Sequence, residues 1–302
     1  MKDAPVDVVT ISVPAARRSS GLGDYIALTK PRLNCLVVAT SAAAYYLGGP
    51  HKPDVLAMVQ AVAGTALVAG GAAVLNQLYE RDTDALMRRT RLRPLPDGRV
   101  APSDARTFGL AVSLAGLVLL AARTNWLSAA LALATLVIYL IVYTPMKRRT
   151  SLSTLVGAVP GALPALIGWT ASHGSIELGG ATLFAIVFLW QIPHFMAIAW
   201  MYRDDYGKAG FPMLPVIDPA GRKAGRQAVL YAAALVPVSL VPTFAGMTGM
   251  VYFASALVLS VALLVLAVRF AATRSDEAAR ALFFGSITYL PIIWIVMIAN
   301  RS

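Results

Sequence analysis

Asn76, Glu80 and Asp84 stand at i, i+4 and i+8 at the end of a long apolar run. On a continuing helix their side chains rise along one face. Oxygen donors placed this way suit Mg²⁺, which takes one or two carboxylates and completes its shell with phosphate oxygens and water. Asp82, in the same stretch, is a further candidate metal ligand. Arg81, Arg88 and Arg93 lie around and after these oxygens, and guanidinium forks grip phosphate. The chemistry that fits is a metal-held diphosphate. If that diphosphate is a leaving group, metal and arginines stabilise the charge that gathers on it as the C–O bond breaks. A solvated loop of mixed charge would also read this way. Against it, Asn76 and Glu80 lie at the edge of an apolar span, where polar groups are costly and usually functional.

A second polar stretch, WQIPHFMAIAWMYRDDYGKAGFPMLPV, begins at Trp190. Asp204 and Asp205 could supply further metal oxygens, or could cap the loop with Arg203. Asp205 follows His194 by eleven residues, three turns along nearly the same helical face if the helix continues. His51 and His173 fall in short loops, whereas His194 falls inside an apolar span, just after Pro193. Its imidazole could act as a base, ligate a metal–porphyrin, or simply pack with a hydrogen bond. Lys147, Arg148 and Arg149 make a compact cationic patch after Tyr139 and Tyr143, which membrane topology alone would explain.

The elements that must position these groups follow from composition. Of 302 residues, 58% are hydrophobic and 14% charged, too apolar for a soluble domain of this size. The expected fold is an all-α polytopic membrane protein. At about 20 residues per crossing, nine spans can be placed, near 26–48, 55–79, 104–122, 126–144, 153–172, 179–201, 227–246, 250–270 and 280–300. With loops numbered alternately, one face keeps only Lys52, Arg123 and Arg301 of the 26 basic residues. The positive-inside rule therefore expects a cytoplasmic N-terminus. The net charge of +11 is spread over short loops with no separate basic domain, so no nucleic-acid partner is expected. Cys35 stands alone and reads as a packing residue. Residues 1–24 hold no apolar run of signal-peptide length and are expected to be a disordered cytoplasmic tail, with 25–302 a single domain. Loops 80–103 and 202–226 exceed what a turn needs, and their separation by four spans hints at a repeat of helix bundles.

The Asn76, Glu80, Asp84 pattern ending in Arg93-Pro94-Leu95 resembles the first motif of UbiA-type intramembrane prenyltransferases, with Glu80 where the superfamily has Asp. The stretches from Glu80 (ERDTDALMRRTRLRPLP), Tyr143 (YTPMKRRT), Gly157 (GAVPGALPALIGW) and Trp190 are similar to the protoheme IX farnesyltransferases within it. Ser153 stands near a position where that family usually has Asn. The resemblance runs from Leu28 to Trp294 and implies a UbiA-type helix bundle in the cell membrane with its active-site loops on the cytoplasmic face. It implies transfer of farnesyl from farnesyl diphosphate to a vinyl group of heme b, with Mg²⁺ as cofactor and heme b as substrate, and heme A synthase as the enzyme that takes the product. It also implies catalytic roles for Asn76, Glu80, Asp84, Lys147, Arg148, His194 and Asp205. Diphosphate would fall to Arg81, Arg88, Arg93, Lys147 and Arg148, and metal to Asn76, Glu80, Asp82, Asp84, Asp204 and Asp205. Two rival readings are a related prenyl transfer to an aromatic quinone precursor and a transporter of an anionic substrate. A transporter should hold ionisable groups near mid-membrane, whereas nearly all of these lie at one face.

Overall fold

The computed structural model describes residues 20–50 and 52–302, and apart from one isolated bridge between Thr248 and Arg301 its regular structure is helical. A short helix α1 (Leu22–Leu28) precedes α2 (Pro31–Gly48), α3 (Val55–Tyr79), α4 (Arg81–Asp84), α5 (Pro102–Arg123) and α6 (Trp126–Val137). A π-helical stretch, Ile138–Tyr143, carries α6 into α7 (Thr144–Met146). Then come α8 (Ser153–His173), α9 (Leu178–Met201), α10 (Arg203–Lys208), α11 (Leu214–Ile217), α12 (Arg222–Phe244), α13 (Met250–Thr273) and α14 (Asp276–Ala299). Local chemistry sets several starts. Asp54, Asn125 and Ser275 accept the orphan backbone N–H groups of Ala57, Ser128 and Ala278, and prolines open α2 and α5 where no N–H is needed.

Among the described residues, eight helices are long and apolar enough to cross a membrane: α3, α5, the continuous run Trp126–Met146, α8, α9, α12, α13 and α14. The expected first span is shorter and more polar than predicted. Lys30, at φ 51° and ψ 58°, breaks the chain between α1 and α2, because a residue before proline is pushed out of the right-handed helical region. The helix that remains, 18 residues from Pro31, carries Arg32 and Asn34 in its first turn. Helix α1 also begins inside the segment expected to be a tail, and Asp24 is ion-paired with Arg99 of the first long loop. Residues 1–19 and His51 lie outside the described residues.

The helices pack as two linked groups. One holds α2, α3, α5 and α6, with α8 against α2 and α6, and the other holds α9, α12, α13 and α14. Contact between α8 and α9 joins them, so the long loops after α3 and α9 belong to different groups. The α3–α5 seam is unusually close. A Cβ on Gly116 would stand 2.7 Å from the Gly64 carbonyl oxygen, so only glycine lets these backbones approach.

The two faces of the bundle sort as the charge pattern expects. On one, Arg301 donates to the carbonyls of Tyr46, Gly49 and Pro50 at the end of α2, His173 meets the Gly48 carbonyl at 2.9 Å, and Asn125 donates to Thr170. Cationic and amide donors thereby satisfy carbonyls that helix ends leave open. The polar loops after α3, α7 and α9 gather at the other.

Candidate active site

At the end of α3 the helical ladder survives the change into α4. Glu80 N–H bonds to the Asn76 carbonyl at 2.9 Å and Asp84 N–H to the Glu80 carbonyl at 2.7 Å. Asn76, Glu80 and Asp84 are therefore stacked on successive turns as the spacing predicted, and all three are buried, at 1%, 7% and 1% exposure. Such groups need partners at that depth. Lys147 Nζ lies 2.9 Å from Glu80 Oε1, and Arg93 donates to Asp84 Oδ2 at 2.6 Å. Thr144 gives its hydroxyl proton to the Tyr139 carbonyl at 2.7 Å and so accepts from Asn76 Nδ2 at 3.0 Å. That bond, with a longer one of 3.4 Å from the Tyr139 hydroxyl to Oδ1, fixes which way the Asn76 amide points.

The π-helical stretch brings this wall together. It stacks Tyr139 on Tyr143, ring centres 5.2 Å apart, and Lys147 sits over the Tyr143 ring at 4.7 Å. Widened turns of this kind concentrate at functional sites because they shift side chains out of the regular helical register. Burial works to lower the Lys147 pKa, but Tyr143 and the Glu80 carboxylate outweigh it, so the net shift is upward and the ammonium stays charged.

Lys30 completes the cationic side. It was counted in the sequence only as a topology charge, yet the break before Pro31 sets it among Arg93, Lys147, Glu80 and Asp84. Burial, then repulsion from Arg93 and Lys147, brings its pKa down from 10.5 to about 7. The only signal for it was a Lys-Pro step at the mouth of an apolar run.

The two long loops meet over the site. The guanidinium of Arg89 lies 5.0 Å from the Tyr202 ring and 5.8 Å from the Tyr206 ring, and Met87 packs with Ala199, Ala209, Phe211 and Met213. Met87 did not stand out from the other residues of its loop, and Arg89 did so only as one of the run of arginines there. Other predicted residues lie elsewhere. Arg81 and Asp82 form an exposed ion pair and line a separate cavity of about 510 Å³ with Arg99 and Asp104. Arg88, Arg148 and Asp204 are exposed, and Asp205 is half-buried. Arg203 does not cap the loop with these aspartates but pairs with Asp276 of α14 at 2.8 Å. The single helix expected to carry both His194 and Asp205 is interrupted: α9 ends at Met201, and Tyr202, at φ −113° and ψ 22°, leads the chain into α10. Ser153 is fully buried at the start of α8, and its hydroxyl has no partner among the described residues.

His194 occupies its own setting within α9, about 10 Å before the helix end at 1.5 Å per residue. Its ring lies between Trp190 and Phe283, with centres 5.2 and 5.1 Å away. The Ser286 hydroxyl of α14 is 2.8 Å from Nδ1.

A buried row of hard oxygens facing several cations, at one end of an all-helical membrane bundle, is the arrangement of an intramembrane transferase of diphosphate-activated groups. The UbiA prenyltransferase family matches residues 36–288, and the chain belongs to that family. It is 47% identical over 287 residues to the protoheme IX farnesyltransferase of Solibacter usitatus, a match covering 92% of this chain and 98% of the relative. Its fold is similar to that of a digeranylgeranylglyceryl phosphate synthase (TM-score 0.78, 17% identity, 92% of this chain and 98% of that one). It is also similar to a UbiA homologue from Archaeoglobus fulgidus bound to GPP and Mg²⁺ (TM-score 0.65, 16% identity, 91% and 99% covered).

Proposed function

We propose that this prenyltransferase moves the farnesyl group of farnesyl diphosphate to a vinyl group of heme b, releasing diphosphate. The observation that carries the donor half is the buried Asn76, Glu80, Asp84 row opposed by Lys147, Arg93 and Lys30. Similarity over nearly the whole chain to a protoheme IX farnesyltransferase supports the acceptor. The row fits Mg²⁺, since two carboxylates and one amide oxygen are the share of its shell that protein usually provides beside phosphate and water. Bound there, the metal would supply neutralising charge to the diphosphate. Lys147, Arg93 and Lys30 hold the remaining phosphate oxygens and stabilise the charge left on them as the farnesyl C1–O bond breaks. The vinyl π electrons then form a C–C bond to C1. Water adds to the carbon left positive beside the porphyrin and gives up a proton, so a hydroxyethylfarnesyl side chain results. Tyr139, Tyr143 and the apolar helix walls keep water from the first cation. We assign His194 to the heme, and Asp205 with Asp204 to the loop side of the metal–diphosphate.

The polar loops face the cytoplasm in this reading, the protein lies in the cell membrane, and heme A synthase receives the product. The test is incubation of purified protein with heme b, farnesyl diphosphate and Mg²⁺, followed by heme mass. A gain of one farnesyl group plus one hydroxyl is expected. An unchanged heme, with prenylation of an added hydroxybenzoate, would overturn the acceptor.

A further inference from the structure

Ser286 makes three bonds that bear on His194. Its hydroxyl lies 2.6 Å from the Phe283 carbonyl on its own helix, and a hydroxyl has one proton to give. That proton goes to Phe283, because a carbonyl can only accept. The same oxygen, 2.8 Å from His194 Nδ1, must then accept, so Nδ1 carries the hydrogen. A neutral imidazole protonated at Nδ1 has its lone pair on Nε2. Among the described residues Nε2 has no hydrogen-bond partner, and the ring is half-buried. The Ser286 carbonyl accepts from Trp190 Nε1 at 2.6 Å, one turn before His194. One residue of α14 thus pins both Trp190 and His194, while Trp190 and Phe283 hold the imidazole plane between them.

A histidine serving only to pack would have both nitrogens satisfied, since a polar group left unpaired in an apolar helix is costly. Here one nitrogen is fixed as donor and the other left open, the pattern of a metal-ligating histidine whose second N–H is anchored by an outer partner. We propose that Ser286 is a positioning residue that sets His194 as the Nδ1–H tautomer and aims Nε2 at the iron of the heme acceptor. The assignment rests on the heme reading above and adds to it the group that orients the ligand. It also gives acceptor selection a physical basis on α9 and α14, apart from the diphosphate site.

The experiment titrates ferric heme b into the purified full chain and its Ser286→Ala, Ser286→Thr and His194→Ala variants in lipid nanodiscs. It follows the Soret band and the low-spin electron paramagnetic resonance signal. Ser286→Ala keeps the backbone carbonyl that receives Trp190, so the α9–α14 contact survives the change. Expected are loss of the histidine-ligated signal in His194→Ala and an affinity fall of about 10–100-fold in Ser286→Ala. Ser286→Thr should restore affinity, and the KM for farnesyl diphosphate should be unchanged in Ser286→Ala. Wild-type heme affinity and spectrum in Ser286→Ala, with the signal lost in His194→Ala, would overturn the role of Ser286 and leave heme as acceptor. A wild-type chain that takes up no heme yet prenylates an aromatic acceptor overturns both.

Discussion

Asp84 and Glu80 illustrate how a carboxylate is partnered at the edge of an apolar helix: each has one cation within 3 Å and is otherwise shut off from water. On the proposed reading, removing either negative charge weakens metal capture, and it also strands a cation. We expect Glu80→Gln and Asp84→Asn each to lower kcat by about 10²–10³-fold, the scale of losing one transition-state charge contact. Both variants should still insert in the membrane. Steady-state rates across a Mg²⁺ series, with a chelator as baseline, check this, and wild-type rates at every Mg²⁺ level would remove these residues from the site. Lys30 carries the pH dependence. Its folded pKa, about 7, lies below the unfolded 10.5, so between these values the unfolded chain binds more protons. Stability therefore rises as pH climbs from about 7 towards 10.5, and below 7 the full penalty of charging Lys30 remains. Thermal unfolding in metal-free detergent should show that slope in the wild type and not in Lys30→Met.

Helix ends, rather than helix middles, build this site, and each end is a local interruption: Lys30 before Pro31, Glu80 between α3 and α4, the π stretch before Thr144, Tyr202 between α9 and α10. The first long loop is seated by Leu95, Val100 and Ala105 packing with Leu28 and Val74. Arg89 then joins it to the second by lying over Tyr202 and Tyr206. Cation–π contacts at exposed positions are worth about 0.5–1 kcal/mol each, enough to bias loop closure without holding the fold. Arg89→Ala should accordingly raise the KM for farnesyl diphosphate a few-fold with little change in melting temperature. Hydrogen exchange should quicken between residues 203 and 217, and unchanged exchange there would show that the loops close by other contacts.

Across the whole bundle, the donor site and His194 sit in different helix groups, joined where α8 packs on α9. That division suits the proposed reaction of two unlike substrates, with an anionic diphosphate assigned to the loop face and a flat apolar acceptor assigned to α9 and α14. The face that carries Lys52, Arg123 and Arg301 is the one where Arg301 and His173 close over the end of α2. Reporter fusions after residues 90, 148 and 210 should give cytoplasmic activity, and fusions after 124 and 302 should not. A reversed pattern would invert the orientation while leaving the site intact.

Spacing alone made Asn76, Glu80 and Asp84 legible, because an i, i+4, i+8 row needs only a continuing hydrogen-bond ladder, and hydropathy placed the membrane helices because a bilayer demands a minimum apolar length. The same local logic reached less far elsewhere. Asp82 looked like a ligand in the string and lies on an exposed surface with Arg81, since a residue two positions from Glu80 and two from Asp84 points about 200° around the helix, away from their face. His194 and Asp205 were read onto one helix, which Tyr202 interrupts. The contacts of Lys30, Thr144, Arg89 and Ser286 could be recognised only in three dimensions, because their partners across the fold are at least 50, 68, 113 and 92 residues away in the chain. Composition and periodicity thus settled that the chain is a helical membrane protein with a hard-oxygen row. Tertiary packing decided which cations face that row and which nitrogen of His194 is open, because both depend on contacts between helices that no local pattern encodes.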